Sequence, residues 1–469
     1  MTDATDSGAE AALADPLTRD TVALLRELIR NACVNDGTAD SGGEHRSVAT
    51  LERFLDGSGV AWEVEEPYPG RTSLVAELPG ADPDAPALLL LGHLDVVPAG
   101  RGWSRDPFAG DLVDGVVWGR GALDMLHLTA SYVAVLRRLA TEGQPLPGRL
   151  IVAAVADEES GGRYGAHWLV ENRPELLRAD GVLSESGGIP LAIDGEVRGV
   201  TVTVGEKGIT ARRLDVTGRP RHASTPFGGD NAIVTAAAVV QRIAALAQQP
   251  EIDDLWPRYV AALDLPSDLR EALTDPTRID ASLPRLGSLA GLAHALTRTT
   301  FSPDVIRGGD KLNVVPGHAS VDIDIRTLPG VDAETVDAHL LAAIGTAADR
   351  VAIEPLGGTT PATRSPLDTA LFDAVAEAVG AAHPGAVAVP VIAPGGADSR
   401  FFREQGIPAY GVGMFSERWN HAGFRHLVHS VDERIDVASI HLAAHAIERI
   451  VRRFLGPGER RDAADPGRH

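Results

Sequence analysis

Residues 87–95 read ALLLLGHLD. An apolar run this short, closed by a glycine and then by His93 and Asp95, has the pattern of a buried strand that stops at a polar edge. Similar runs occur at 73–78 (SLVAEL), 149–159 (RLIVAAVADEE) and 180–185 (DGVLSE). Helical patterns separate or precede them: TVALLRELIR at 21–30, LTASYVAVLRRLA at 128–140 and AHWLVEN at 166–172. Buried strands alternating with helices predict an α/β sheet flanked by helices.

The pattern changes near residue 200. Residues 197–218 (VRGVTVTVGEKGITARRLDVTG) alternate over a long β-rich stretch. A helix at 231–248, a strand at 319–328, a helix at 333–345 and a strand at 350–356 follow. With one more strand before Asn313, the order is β-α-β-β-α-β, a ferredoxin-like sheet with two helices on one face. The first pattern resumes after about residue 360 and ends in a helix near Val437–Phe454. The expected organisation is a discontinuous α/β unit (19–200 and 360–456) carrying an inserted unit (201–359). The insert has an extra Pro-punctuated segment at 250–300. Residues 1–18 and 457–469 are expected to be disordered.

The whole chain has 469 residues, which favours two domains or one with a large insertion. It carries 43 basic and 65 acidic residues, a net charge of −22. That balance disfavours nucleic acid and anionic membranes as partners. A single cysteine, Cys33, excludes an intramolecular disulfide framework and a cysteine zinc site. No basic n-region with an apolar h-region opens the sequence, and no apolar run has the length of a membrane span, so a cytoplasmic location is expected. Lysine occurs only at Lys207 and Lys311.

Several strand ends carry residues of the metal-ligand type, at the edge where open α/β sheets place their sites. His93 offers an imidazole suited to zinc, and Asp95, two residues on, could orient it. Asp124, in GRGALDM, precedes a helix; it reads as an N-cap or as a carboxylate able to bridge two cations. Asp157, Glu158 and Glu159 end another strand. They form either a solvated acidic turn or a pair of glutamates that divide metal binding from proton transfer. Glu185 follows a fourth strand. Near the C-terminus, His421, His426 and His429 could supply a last ligand. His441 and His445 lie at i, i+4, but HLAAH lacks the glutamate of the zinc motif HExxH, so they read as ordinary helix residues.

Taken in order, the strings GHLDVVPAG, WSRDPFAG, GRGALDM, DEESGG, ESGG, NVVPG, DIDIRTLPG, GGADSRFF and HSVDERI resemble peptidase family M20. This is the di-zinc family of aminoacylases, acetylornithine deacetylase, succinyl-diaminopimelate desuccinylase and carboxypeptidases. The resemblance covers about residues 20–455, and the length of 250–315 is similar to the larger carboxypeptidase-type members.

The resemblance implies two divalent ions, zinc first, with cobalt or manganese as alternatives. His93, Asp124 and Glu185 would hold one ion, and Asp124, Glu159 and His429 the other. Asp95 would steady His93, Glu158 would be the general base, and the Asp124–Met125 peptide would be cis. The inserted unit would be a lid and homodimerisation domain. Its His222 would reach an active site, usually the partner's; Asn313 and Arg326 would bind the substrate carboxylate beside Gly395 and Gly396. Where many members have Met-Lys-Gly after the bridging aspartate, this chain has Met125, Leu126 and His127, which puts the helix start and its nearby charge in question. The implied activity is hydrolysis of an amide or peptide bond next to a free carboxylate. A carboxypeptidase or dipeptidase is the first reading and an N-acyl-amino-acid deacylase the alternative. A non-catalytic relative used for binding or assembly is the reading from another class.

Overall fold

The computed structural model describes residues 3–246 and 248–456. Strand Ala87–His93 lies inside a ten-stranded mixed sheet. It pairs in parallel with Arg149–Val155 on one side and Gly181–Ser184 on the other. Gly181–Ser184 in turn pairs in parallel with Ala409–Gly411. Antiparallel strands Arg71–Leu78 and Ala61–Tyr68 extend one end. At the other end, Glu196–Glu206 pairs with Val387–Ala393 in parallel and with Pro190–Ile193 antiparallel.

The apolar run of 87–95 is explained by two cores. Leu88 and Leu90 join one apolar cluster, while Leu89 and Leu91 join another. Side chains alternate across a strand, so four successive leucines serve both faces. Helix Leu126–Glu142 is apolar almost all round because it lies between the sheet and helices Pro16–Arg30 and Val437–Leu455. It comes close to the strand at Gly92, where a Cβ would stand 2.5 Å from Thr129 Oγ1 and 3.2 Å from Met125 Cε. Thr129 Oγ1 donates to the His93 carbonyl at 2.9 Å just there.

A second, four-stranded sheet has the order Thr300–Gly308, His318–Thr327, Gly208–Thr217, Val351–Pro355, with every pairing antiparallel. Helices Ala232–Ala244 and Ala333–Ile344 pack on it through a separate core that includes Leu214, Val239, Ile323 and Leu340. The element order is the expected β-α-β-β-α-β, with Thr300–Gly308 as the strand ahead of Asn313. No helix among the described residues is long and apolar enough to cross a membrane.

Three expectations change. The insert does not begin at 201: residues 196–206 are bonded into the large sheet, and the chain passes to the second sheet at Lys207–Gly208. Both strands alternate with the same period, so the crossing leaves no mark in the pattern. Lys207 is buried there, and its Nζ donates to the carbonyls of Ala295 and Arg298 and to Thr300 Oγ1. The extra segment 250–300 packs on the large sheet. Its Trp256, Tyr259 and Leu273 form one cluster with Leu191, Val389 and Val391. Finally, the segment 3–18 is not disordered: Asp3–Ala14 is a helix against Pro16–Arg30 and the last helix, while residues 1 and 2 lie outside the described residues. The expected tail 457–469 lies outside the described residues.

Asp15 caps helix Pro16–Arg30, accepting from Thr18 N at 2.9 Å and Thr18 Oγ1 at 2.8 Å. His445 Nε2 lies 3.0 Å from the same carboxylate, and His441 Nδ1 lies 2.8 Å from Thr18 Oγ1. Burial alone would raise the Asp15 pKa, but the Thr18 and His445 contacts bring it down to about 2. A carboxyl held below its unfolded value stabilises the fold above about pH 4, and that contribution is lost as pH falls toward 2. Asp15→Ala is expected to lower unfolding stability by about 1 kcal/mol at neutral pH. Urea unfolding should show the difference from the parent shrinking near pH 2.

Candidate active site and metal centre

Strands Ala87–His93, Arg149–Val155 and Gly181–Ser184 are parallel neighbours, so their carboxyl ends open on one edge. His93 is the last residue of the first, Glu158 and Glu159 form the turn after the second, and Glu185 follows the third. Asp124 immediately precedes the cis peptide Asp124–Met125 and helix Leu126–Glu142. His429 arrives from the C-terminal segment, because strand Arg434–Asp436 pairs with Val116–Trp118 ahead of the Asp124 loop.

The two imidazoles share one carboxylate. His93 Nε2 is 3.3 Å from Asp124 Oδ1, and His429 Nε2 is 3.0 Å from Asp124 Oδ2. Glu185 Oε1 lies 3.8 Å from His93 Nε2, and Glu159 Oε2 lies 3.3 Å from His429 Nε2. His93, Asp124 and Glu159 offer three donor atoms within 4.8 Å of one another, as do His93, Glu158 and Glu185. His426 and His421 take no part; His421 Nδ1 lies 3.2 Å from the Tyr259 hydroxyl.

Asp95 behaves differently from the expectation that its side chain orients His93. His93 Nδ1 is bonded to the Asp95 main-chain carbonyl at 2.9 Å, whereas the carboxylate is 3.6 Å away, beyond hydrogen-bond reach. The carboxylate accepts instead from the backbone N–H groups of Glu158 and Glu159, both at 3.1 Å, and from Asn35 Nδ2 at 2.8 Å. Asn35 Oδ1 accepts from Arg71, which is also paired with Glu44 at 2.7 Å. Asp95 therefore fixes His93 with one group and the glutamate turn with another.

Other residues that the sequence did not single out support the site in the same way. Glu433, fully buried, accepts from Leu123 N at 2.7 Å, Asp124 N at 3.2 Å and Arg120 Nη1 at 2.5 Å. Burial pushes its carboxyl up to about 7 despite Arg120. Glu206 accepts from Ala397 N and Ser399 Oγ and pairs with Arg403, which anchors the loop after Gly395 and Gly396. Asp398 is buried with neither oxygen hydrogen-bonded, and burial raises its pKa to about 7. Glu433 lay within HSVDERI, one of the motif strings; Asn35 had no pattern around it.

Burial pushes Glu158 and Glu185 well above the carboxylate range, with neighbouring carboxylates adding to the effect. Glu159 is also raised by burial and by Asp124. Asp124 is drawn well below: its bonds from His429 and His93 outweigh burial. Asp124 and Glu159 in turn raise His429 to about 10. Such a crowd of buried carboxylates calls for positive charge. Glu159 Oε1 is buried with no hydrogen-bond partner, and oxygen and imidazole donors suit zinc-like divalent ions. The residues present fit a metal centre. The departure at Leu126–His127 leaves it intact: the helix starts at Leu126, and burial holds His127 neutral by lowering its pKa to about 4.

Asp124, Glu158, Glu159, Glu185 and His429 line one cavity of about 780 Å³ together with Arg326, Gly395 and Gly396. Arg326 is held by Asp324 in two bonds of 2.7 and 3.0 Å. A Cβ at Gly395 would meet nothing within 4 Å. His222 and Asn313 do not line the cavity. They sit on an exposed two-stranded arm, Arg221–His222 against Val314–Val315, where Ala223 N donates to the Asn313 carbonyl at 3.0 Å.

The sequence profile of Peptidase family M20/M25/M40 matches residues 89–453. Aminoacylase-1 of Mus musculus is 29% identical over 399 residues, covering 83% of this chain and 86% of that protein. An M20 family metallo-carboxypeptidase, Sso-CP2 from Sulfolobus solfataricus, shares the fold with a TM-score of 0.67 at 18% identity over 94% of this chain and 99% of its own. The dipeptidase Dug1p from Saccharomyces cerevisiae does so with a TM-score of 0.65 at 16% identity, over 97% and 98%.

Asp95→Asn leaves one of two backbone N–H groups facing a donor. It is expected to cost about 1–3 kcal/mol, read by urea unfolding of the metal-free protein. Unchanged stability would show that the carboxylate does not hold the glutamate turn.

Proposed function

The chain belongs to peptidase family M20/M25/M40, and from that premise we propose that it is a metal-dependent hydrolase of an amide bond next to a free carboxylate. The observation that carries this reading is Asp124, set between two imidazoles with one oxygen facing each. We assign His93, Asp124 and Glu185 to one divalent ion and Asp124, Glu159 and His429 to the other, with zinc as the first choice. When bound, the ions would polarise the scissile carbonyl and acidify water.

The chain's own groups do the rest. Glu158, which has a donor atom close to those of His93 and Glu185, is left out of both assigned sets; it takes the proton of the attacking water and delivers it to the departing amine nitrogen. Arg326, already oriented by Asp324, receives the substrate carboxylate, and the open backbone at Gly395 lets the substrate lie against the loop, while Gly396 beside it is packed against Arg400 and Ile209. His222 would stabilise the oxyanion from the partner subunit, with Asn313 beside it on the same arm. Support for a dimer comes from the arm's own surface, where Phe227 is 98% and Leu312 100% exposed. The homology to aminoacylase-1 favours N-acyl amino acids as substrates; the two peptidase neighbours, similar in fold alone, leave dipeptides as the second class to assay.

Metal analysis of the zinc-reconstituted protein should find two ions per chain; none would sink the assignment. Glu158→Ala should retain the ions and lose about 10²–10⁴-fold in kcat on N-acyl amino acids or dipeptides. Mixing inactive Glu158→Ala and His222→Ala chains should restore activity, because the mixed dimer holds one site with both groups intact. No recovery, with mixed dimers demonstrated, would place His222 outside the partner's site.

A further inference from the structure

The wall of the catalytic cavity opposite in character to its carboxylates comes from the extra segment. Tyr259 of helix Trp256–Ala261 and Leu292 and Leu296 of helix Ala290–Leu296 line it, joined by Val391 and Ile392 of strand Val387–Ala393 and by Phe424. We infer that this segment builds an apolar subsite inside the catalytic cavity, and that the substrate carries a bulky apolar substituent beside the scissile amide. The inference rests on the hydrolase reading above and names the substrate class within it.

The wall is fixed rather than incidental. Tyr259 is 3% exposed and belongs to the cluster that ties the segment to Val389 and Val391 of the large sheet. Its hydroxyl is bonded to His421 Nδ1 at 3.2 Å, with the rings edge to face at 5.7 Å, so the two polar groups satisfy each other. Burial, helped by Arg425, lowers the His421 pKa to about 4 and leaves the imidazole uncharged at neutral pH.

The cavity's cations are committed elsewhere or exposed. Arg326 is taken by the substrate carboxylate in the reading above, Arg400 donates to the carbonyls of Ala397 and Gly161, and Arg425 lies at the solvent-exposed face of helix His421–Leu427. A charged substituent against this wall would lose its hydration without a partner, while an apolar one gains by leaving water. The cavity of about 780 Å³ also lies well within the range of sites for ligands larger than an acetylated amino acid.

Two substrate series separate the two places the apolar group could occupy: N-acyl glycines from acetyl to decanoyl, and N-acetyl glycine, leucine and phenylalanine. One series should climb about fourfold in kcat/KM per methylene until the wall is reached. Leu296→Phe, which shortens the subsite, and Leu292→Asp, which charges it, should each lower the ratio of the largest to the smallest member at least tenfold. Calorimetric binding of the same compounds to metal-loaded Glu158→Ala protein should follow the same ladder without turnover. Loss of all hydrolysis with the binding ladder intact would overturn the hydrolase reading but keep the subsite. Flat binding and kinetics in both series, or variants that scale all members equally, would overturn the subsite.

Discussion

The Asp95 carboxylate is buried and accepts three N–H groups: those of Glu158, Glu159 and the Asn35 amide. Its own carbonyl receives the His93 ring. Two neighbouring strand ends are thereby tied at one residue. The same logic recurs at Glu433, which holds the backbone on either side of the Leu123–Asp124 peptide, and at Glu206, which holds the glycine loop. Behind the reactive carboxylates stand buried carboxylates that accept from backbone N–H groups, with Asn35 completing Asp95, Arg120 completing Glu433, and Ser399 and Arg403 completing Glu206. Charges of this kind are costly to bury and persist because their bonds are complete. The precision of the site comes from this outer layer more than from the reactive groups themselves.

The two sheets divide the work. The large sheet gathers His93, Glu158, Glu159 and Glu185 at one edge, and helices on both of its faces leave that edge as the place for polar groups. The smaller sheet contributes Arg326 to the same cavity, while His222 sits outside it on the two-stranded arm. The chain passes between the sheets at Lys207–Gly208, and Lys207 is bonded to the carbonyls just ahead of strand Thr300–Gly308. The crossing is therefore braced by the end of the 250–300 segment. That segment belongs by packing to the large sheet, although in sequence it interrupts the small one.

Much of this was legible in the chain because buried parallel strands leave a coarse mark. LLLL at 88–91 has one reading once both faces are covered, and the ligand-type residues stand where such runs stop. The motif strings then supplied the order in which the ends meet. What stayed hidden depended on single contacts without a period. Asn35 follows a short helix–loop stretch that resembles many others, yet it joins Arg71 to Asp95. The break at 207 was invisible because both flanking strands alternate alike. The N-terminal helix was missed because its small and acidic residues carry a weak apolar stripe, and its packing against the last helix lies more than four hundred residues away. Asp95 was assigned to the right neighbour through the wrong atom: spacing tells which residues meet, not whether carbonyl or carboxylate makes the bond.

Gly92 sits one residue before His93, and its missing Cβ leaves the space into which Thr129 and Met125 press. Met125 is bonded in sequence to Asp124, so the closeness of the helix at this point sets how far apart the first imidazole and the shared carboxylate stand. The gap works like a shim of zero thickness in a machined joint. A methyl group at 92 would push aside the Thr129 hydroxyl and the end of Met125, a larger side chain would meet the helix backbone at Thr129, and the error would be transmitted through Met125 to the carboxylate that both imidazoles face. A residue that never meets substrate would then present, in any assay, as though it belonged to the reaction centre.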